Sequence, residues 1–312
     1  MRRSQWALVV GLASLIIGYA AWANSFSRNG PGMFYLVGMG TAPDLITLRA
    51  IEAVGRADII VLHDPQGKED WADYIGDKEV WVIERFTFLL LGVDPDTLDD
   101  PAEKALALQH EEIRRQLIEK MTRAVREGKT VAVLEGGDPM MYGVTWYLEK
   151  LPEDVPSEVI PGIGAFQAAS AAVKRSTPYG WDTNSVILTM DDWEGRTDTN
   201  EKLMALQTSM VFYTMHMDFP RLFEQLGRHY PADTPVAVVC YAGDRQRQKV
   251  IRSTVGGFFQ DVDLKSIPLD KNMLMVGKFL DVGQARKDGL RSGRHFMEMM
   301  RYSSRREHQE HP

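Results

Sequence analysis

Val131-Ala132-Val133-Leu134-Glu135-Gly136-Gly137-Asp138-Pro139-Met140-Met141-Tyr142-Gly143 is the stretch that decides the fold. Its first four residues form a continuous apolar run, which reads as a strand buried on both faces, the kind that a parallel sheet with helices above and below requires. The run ends in Gly-Gly-Asp-Pro, a tight turn expected to lead into a helix. Open α/β sheets bind their ligands where strands end in such turns. Exposed glycine amides beside a carboxylate suit a cofactor that carries both hydroxyls and an amino group.

The same grammar extends in both directions. Phe34-Tyr35-Leu36-Val37 ends in Gly38-Met39-Gly40, followed by helical spacing over 45–56 and by the run Ile59-Ile60-Val61-Leu62, a strand, helix, strand unit. The turn lets backbone approach a ligand, and Asp44 or Thr47 is placed to cap the next helix. It lacks the third glycine of a dinucleotide fingerprint, which excludes that reading. The pattern repeats with a strand at 80–83, a helix at 103–127 and the strand at 131–134. That helix carries Leu117, Ile118 and Met121 on one stripe, Glu111, Glu112, Arg114 and Arg115 near the outer side, and Gly128 as a C-cap. A third glycine turn, Pro161-Gly162-Ile163-Gly164-Ala165, runs into a small-residue helix at 168–172. Between strand and long helix, Phe88-Leu89-Leu90-Leu91 makes segment 86–100 more apolar than a solvated loop; it reads as a lid, a ligand wall or a membrane contact, with plain core packing equally open.

From 156 onward the rhythm changes. Strands are expected at 186–189, 210–213, 236–241, 250–254 and 273–276 with fewer helices between them, which fits an α+β domain with a mixed sheet. Residues 151–157, rich in proline and acid, read as the linker before it. The organisation is thus a membrane segment or signal peptide plus linker (1–32), an N-terminal α/β domain (33–155), a C-terminal α+β domain (156–282) and a polar tail (283–312). His308 and His311 in that tail are incidental, and no metal site is expected. The single cysteine, Cys240, sits in an apolar run and reads as a small buried hydrophobe, with no intramolecular disulfide available. A net charge of −7 argues against nucleic acid as a partner.

The N-terminus carries its own signal. Met1-Arg2-Arg3 precedes residues 6–23, which hold no charge, and Ala21-Trp22-Ala23 resembles a cleavage site, so a retained anchor and a cleaved leader stay open. The basic flank places the N-terminus in the cytoplasm and the folded part, anchored or exported, on the non-cytoplasmic side.

Taken in order, residues 35–64, 131–143, 158–172 and 234–254 resemble the blocks of the tetrapyrrole (corrin/porphyrin) methylase family, over about 34–280. The segment from Tyr230-Pro231-Ala232-Asp233-Thr234-Pro235 to Ser253-Thr254 is most similar to the precorrin-4/cobalt-precorrin-4 branch. The resemblance implies a two-domain fold with S-adenosylmethionine held in a cleft between the domains, contacted by Gly38 and Gly40, by Gly136, Gly137, Asp138 and Met141, by Gly164 and Ala165, and by Thr214 and Ala242. It implies carbon methylation of a tetrapyrrole, and a homodimer is common in the family. Asp64 matches a position that carries an acid in some members and is a candidate general base, against a turn-capping role. His63 beside it reads as a structural histidine; His216 and Asp218 follow a strand but prove little alone. The first loop lacks the Pro-Gly that the family usually has there, and Val133 stands where a basic residue is frequent, which leaves the substrate side less defined than the cofactor side. A membrane leader is in tension with a cytosolic methyl donor. The alternative to an S-adenosylmethionine-dependent methyltransferase is a non-catalytic exported or membrane-tethered tetrapyrrole-binding protein; methylation of peptide or RNA is weaker still, because no basic surface serves it.

Overall fold

A computed structural model describes residues 32–179, 183–193, 195–214, 217–282, 294 and 296–301. The chain divides into two compact units, the first ending at Ala165 and the second beginning at Phe166.

The first unit is built on five parallel strands, β1 (Phe34–Gly38), β2 (Ile59–Leu62), β3 (Glu79–Val82), β4 (Val131–Glu135) and β5 (Ser157–Ile160), in the order β3-β2-β4-β1-β5. Every residue of β1, β2 and β4 is buried. Because side chains alternate along a strand, each run splits between two cores. Phe34, Leu36, Ile59, Val61, Val131 and Val133 pack with Leu117, Met121 and Tyr147 on one face. Tyr35, Val37, Ile60, Leu62, Ala132 and Leu134 pack with Ala50 and Val54 on the other. Each fully buried Leu, Ile, Val or Phe contributes roughly 1.5–3 kcal/mol, so the three central strands are the main source of stability in this unit.

The long helix spans Pro101–Arg126. Asp100 caps it, its carboxylate accepting the Ala102 N–H at 2.8 Å, with Pro101 in the first turn where a missing N–H does no harm. Gly128, at φ +85°, closes it, and its N–H donates to Val125 O at 2.9 Å. Arg114, expected near the outer side, is instead buried, because it stands three and seven residues before Leu117 and Met121 on the same helix face, where its guanidinium donates to Thr87 O at 2.7 Å.

Sequence reading divides the domains after 155; the contact division falls after Ala165, because Ser157–Ile160 pairs in parallel with β1 and is an edge strand of the first sheet.

The second unit holds a mixed sheet of β6 (Val186–Met190), β7 (Ser209–Tyr213), β8 (Pro235–Cys240), β9 (Lys249–Thr254) and β10 (Asn272–Val276), in the order β6-β7-β10-β8-β9. Only β6 and β7 pair in parallel; the other pairs are antiparallel. Helix Phe219–His229 covers one face, its N-terminus capped by Asp218, which accepts the Arg221 N–H at 3.1 Å. Phe223 and Phe258 stack there with ring centroids 3.8 Å apart. Cys240 ends β8 and is buried, as expected.

The membrane-anchored or exported location is corrected. No helix among the described residues is long and apolar enough to cross a membrane. The longest carries Glu111, Glu112, Arg115, Glu119 and Lys120, which a bilayer core would exclude. Residues 6–23, on which that expectation rested, lie outside the described residues, as do His216, His308 and His311.

Candidate active site

In the first sheet, the connection from β1 leads toward β2 on one side, while the connection from β4 leads to β5 on the other. Neighbouring strands whose connections part in this way make a topological switch point, the place where open sheets take ligands at their C-terminal edge. The three glycine turns meet there. Gly40 and Gly137 form an antiparallel bridge, the Gly40 N–H donating to Gly137 O at 3.2 Å and the Gly137 N–H to Gly40 O at 2.8 Å. Both have left-handed backbones, φ +77° and +79°, which glycine adopts without strain.

The turns are packed backbone against backbone. A Cβ on Gly38 would lie 2.5 Å from Gly162 N, and one on Gly162 would lie 2.0 Å from Gly137 O. A Cβ on Gly136 would meet nothing within 4 Å. Gly136 is therefore the point where the interlocked backbone faces open space. Asp138 ties two turns together: Oδ1 accepts the Met140 N–H at 2.8 Å and Oδ2 the Gly162 N–H at 3.3 Å. Met140 and Met141 are exposed on the same turn, while Gly164 is buried and Ala165 half-buried. Tyr142 also has a left-handed backbone, φ +61°, before the helix Trp146–Lys150; this extra turn separates Gly-Gly-Asp-Pro from the helix expected to follow it.

Beside this edge lies a buried polar network that sequence reading did not single out. Glu135, the last residue of β4, stands with Oε1 3.2 Å from His63 Nε2 and Oε2 3.2 Å from a terminal nitrogen of Arg85, and Oε1 accepts the Val144 N–H at 3.2 Å. His63 Nδ1 lies 3.3 Å from Ile83 O, and the Tyr147 hydroxyl lies 3.4 Å from His63 Nε2. Burial pushes the Glu135 carboxyl up, but the His63 hydrogen bond, the charges of His63 and Arg85 and the Val144 N–H outweigh it, and the net shift is downward. Burial, reinforced by the Glu135 charge, raises the Tyr147 hydroxyl. The available signal was a carboxylate ending an otherwise wholly apolar strand. His63 is buried, as its structural reading requires.

Asp64, one residue beyond His63, is exposed, and its carboxylate accepts the Gln66 N–H at 2.8 Å, so it caps a turn at the C-terminal end of β2. Thr214 and Ala242 belong to the second unit. Both β7 and β8 run antiparallel to β10, so these residues leave the same edge of the second sheet. Thr214 is buried; its hydroxyl donates to Asn272 O at 2.7 Å and pairs with the Asn272 side chain. Ala242 is half-buried in the turn after Tyr241, whose φ is +49°. Asp218 serves as a helix cap. Among the described residues no cluster of His, Cys, Asp and Glu is arranged to hold a metal ion.

A parallel sheet with glycine turns clasped at its switch point, followed by a mixed sheet, defines an α/β protein of the open-sheet, ligand-binding class. More narrowly, the chain belongs to the tetrapyrrole (corrin/porphyrin) methylase family, whose model matches residues 33–258. A siroheme synthase of Nitrosococcus oceani is 30% identical over 72% of the chain, which spans 45% of that relative. A uroporphyrinogen-III C-methyltransferase of Methanocaldococcus jannaschii is 26% identical, with 80% of this chain and 98% of the relative covered. The chain thus spans about half the length of the siroheme synthases and nearly all of the uroporphyrinogen-III C-methyltransferase. Among solved structures, a cobalt precorrin-4 methyltransferase shares the fold at a TM-score of 0.62 and 23% identity, covering 80% of this chain and 96% of its own. A uroporphyrin-III C-methyltransferase from Thermus thermophilus complexed with S-adenosylhomocysteine does so at 0.58 and 20%, covering 80% and 100%.

Proposed function

We propose that this protein transfers a methyl group from S-adenosylmethionine to a carbon of a tetrapyrrole precursor. The observation that carries the reading is the clasp of three glycine turns at the switch point, with Gly136 facing open space, in a chain that belongs to this family. The names of the relatives, methyltransferases acting on uroporphyrinogen-III and cobalt-precorrin-4, support the reaction class, and the S-adenosylhomocysteine-bound neighbour supports the cofactor.

When bound, S-adenosylmethionine supplies an electrophilic methyl on a sulfonium. The residues fit such a ligand: Gly38, Gly40, Gly136 and Gly137 offer backbone without side chains in the way, and Met141 is exposed beside them. Asp138 organises the turn, and Gly164 and Ala165 open the following helix. For Thr214 and Ala242, which lie in the second unit, the support is the family resemblance alone. Methyl transfer by in-line displacement needs alignment and charge placement rather than a protein nucleophile, so a cradle of fixed backbone is suitable machinery. Methylating a carbon leaves a proton to be removed, and the exposed carboxylate of Asp64 at the ligand edge is the candidate base.

Calorimetric titration of the full chain with S-adenosylhomocysteine tests the reading without knowledge of the acceptor. Saturable binding with a Kd on the order of micromolar is expected, and Gly136→Val, whose side chain enters open space, is expected to remove it while the far-ultraviolet circular dichroism stays unchanged. No heat with the wild-type chain would overturn the reading in favour of a protein that binds without methylating.

A further inference from the structure

The loop after β3 joins a fixed cation to an apolar surface at the same sheet edge. Arg85 places one terminal nitrogen 3.2 Å from Glu135 Oε2 while its side chain remains 60% exposed. A guanidinium has five N–H donors in a rigid fork. The buried carboxylate therefore fixes the group from beneath and leaves donors facing solvent. Phe86, Leu89 and Leu91 follow in the chain and are all exposed. Their display is not the slackness of a free loop. Arg114 donates to the carbonyls of Thr87 and Leu89, at 2.7 and 3.5 Å, the Phe86 ring packs 5.5 Å from His110, and Leu90 holds a left-handed backbone at φ +59°. A non-glycine residue in that conformation costs on the order of 1 kcal/mol, which surrounding structure must offset. The exposed apolar side chains are thus held toward water by buried polar bonds, the pattern of a recognition surface.

We propose that Arg85 anchors a peripheral carboxylate of the methyl acceptor, that Phe86, Leu89 and Leu91 seat the adjoining face of its ring, and that Glu135 is the positioning residue for the guanidinium. The ligand that fits is flat and apolar with acids at its rim, because the surface offers one charge-assisted fork beside a hydrophobic ledge. The proposal rests on the tetrapyrrole reading and deepens it, making the side-chain acids of the acceptor a determinant of recognition.

The test uses the full chain and two probes: uroporphyrin, a flat ring bearing carboxylate side chains on every pyrrole, followed by quenching of protein fluorescence, and S-adenosylhomocysteine, followed by calorimetry. Arg85→Ala is expected to weaken uroporphyrin binding roughly tenfold or more and to leave S-adenosylhomocysteine affinity unchanged; Arg85→Lys should retain part of the binding. Added salt should weaken uroporphyrin binding to the wild type more than to Arg85→Ala. Glu135→Gln should weaken uroporphyrin in the wild type but add little to Arg85→Ala, a non-additivity that a merely structural role would not produce. Unchanged uroporphyrin affinity in Arg85→Ala overturns the proposal. So does a wild-type chain that binds S-adenosylhomocysteine and not uroporphyrin; both results leave methyl transfer standing. Arg85-dependent uroporphyrin binding without S-adenosylhomocysteine binding would do the reverse. If Phe86→Ser breaks up an oligomer and leaves uroporphyrin binding intact, the ledge belongs to a second copy of the chain, and the proposal fails.

Discussion

Gly136 and Gly162 look alike in the sequence and face opposite constraints. A methyl on Gly136 enters open space, whereas a methyl on Gly162 would lie 2.0 Å from Gly137 O. Gly162→Ala is expected to force the turns apart and cost about 1–3 kcal/mol or more, while Gly136→Ala should change stability by less than about 1 kcal/mol. Urea melts of both variants check this; equal destabilisation would mean that the clasp is not rigid. Glu135 gives a pH prediction. Its folded pKa lies below its ordinary value of 4.5, so its ionised form stabilises the fold above that pH, and the contribution is lost as pH falls through the lower, folded value. Stability should therefore drop on acidification below about pH 4.5 more steeply in the wild type than in Glu135→Gln; parallel pH profiles would show that the carboxylate is not stabilised by folding. The glycine turns were legible because glycines that close an apolar run have few other reasons to stand there, and one of the three is followed by Asp138-Pro139. The Glu135 network was not, because its partners, His63, Arg85 and Tyr147, come from three separate segments that only the sheet order brings together.

At the scale of elements, the strands were the readable part. Five parallel and five mixed strands fall within a residue or two of the apolar runs that announce them, and in β1, β2 and β4 burial on both faces leaves no room for polar interruption. Only the start of β5 was blurred, because the exposed Ser157 and Glu158 of this edge strand, just after Pro156, carry the composition of a linker. Arg114 escaped because its charge outweighed its position: it stands three and seven residues before Leu117 and Met121, on the same buried stripe, from which its long side chain reaches the carbonyls of the loop packed there. That reach yields a prediction. Arg114→Leu removes the donor of Thr87 O and Leu89 O and should cost about 1–3 kcal/mol. It should also speed chymotryptic cleavage between Phe86 and Leu91 while the rest of the first unit stays intact. A cleavage rate matching the wild type would show that the loop is held by something other than this guanidinium.

For the molecule as a whole, the two units had different legibility. The first announced its parallel sheet through repeated strand and helix runs; the second announced only strands, and the pairing of β6 parallel to β7 with β10 inserted between β7 and β8 is long-range order that no local pattern encodes. Location proved the least secure inference, since it rested on residues 6–23 and not on the folded units. The second unit also contains the chain's single cysteine, Cys240, at the end of β8 and hydrogen-bonded between β10 and β9. Burial raises its thiol pKa and walls it off from solvent, so a thiol-modifying reagent meets no reactive sulfur in the native state. Alkylation of the untouched protein then proceeds only as fast as the mixed sheet opens, and the sulfur becomes an internal stopwatch for that one unit, with no residue added or removed.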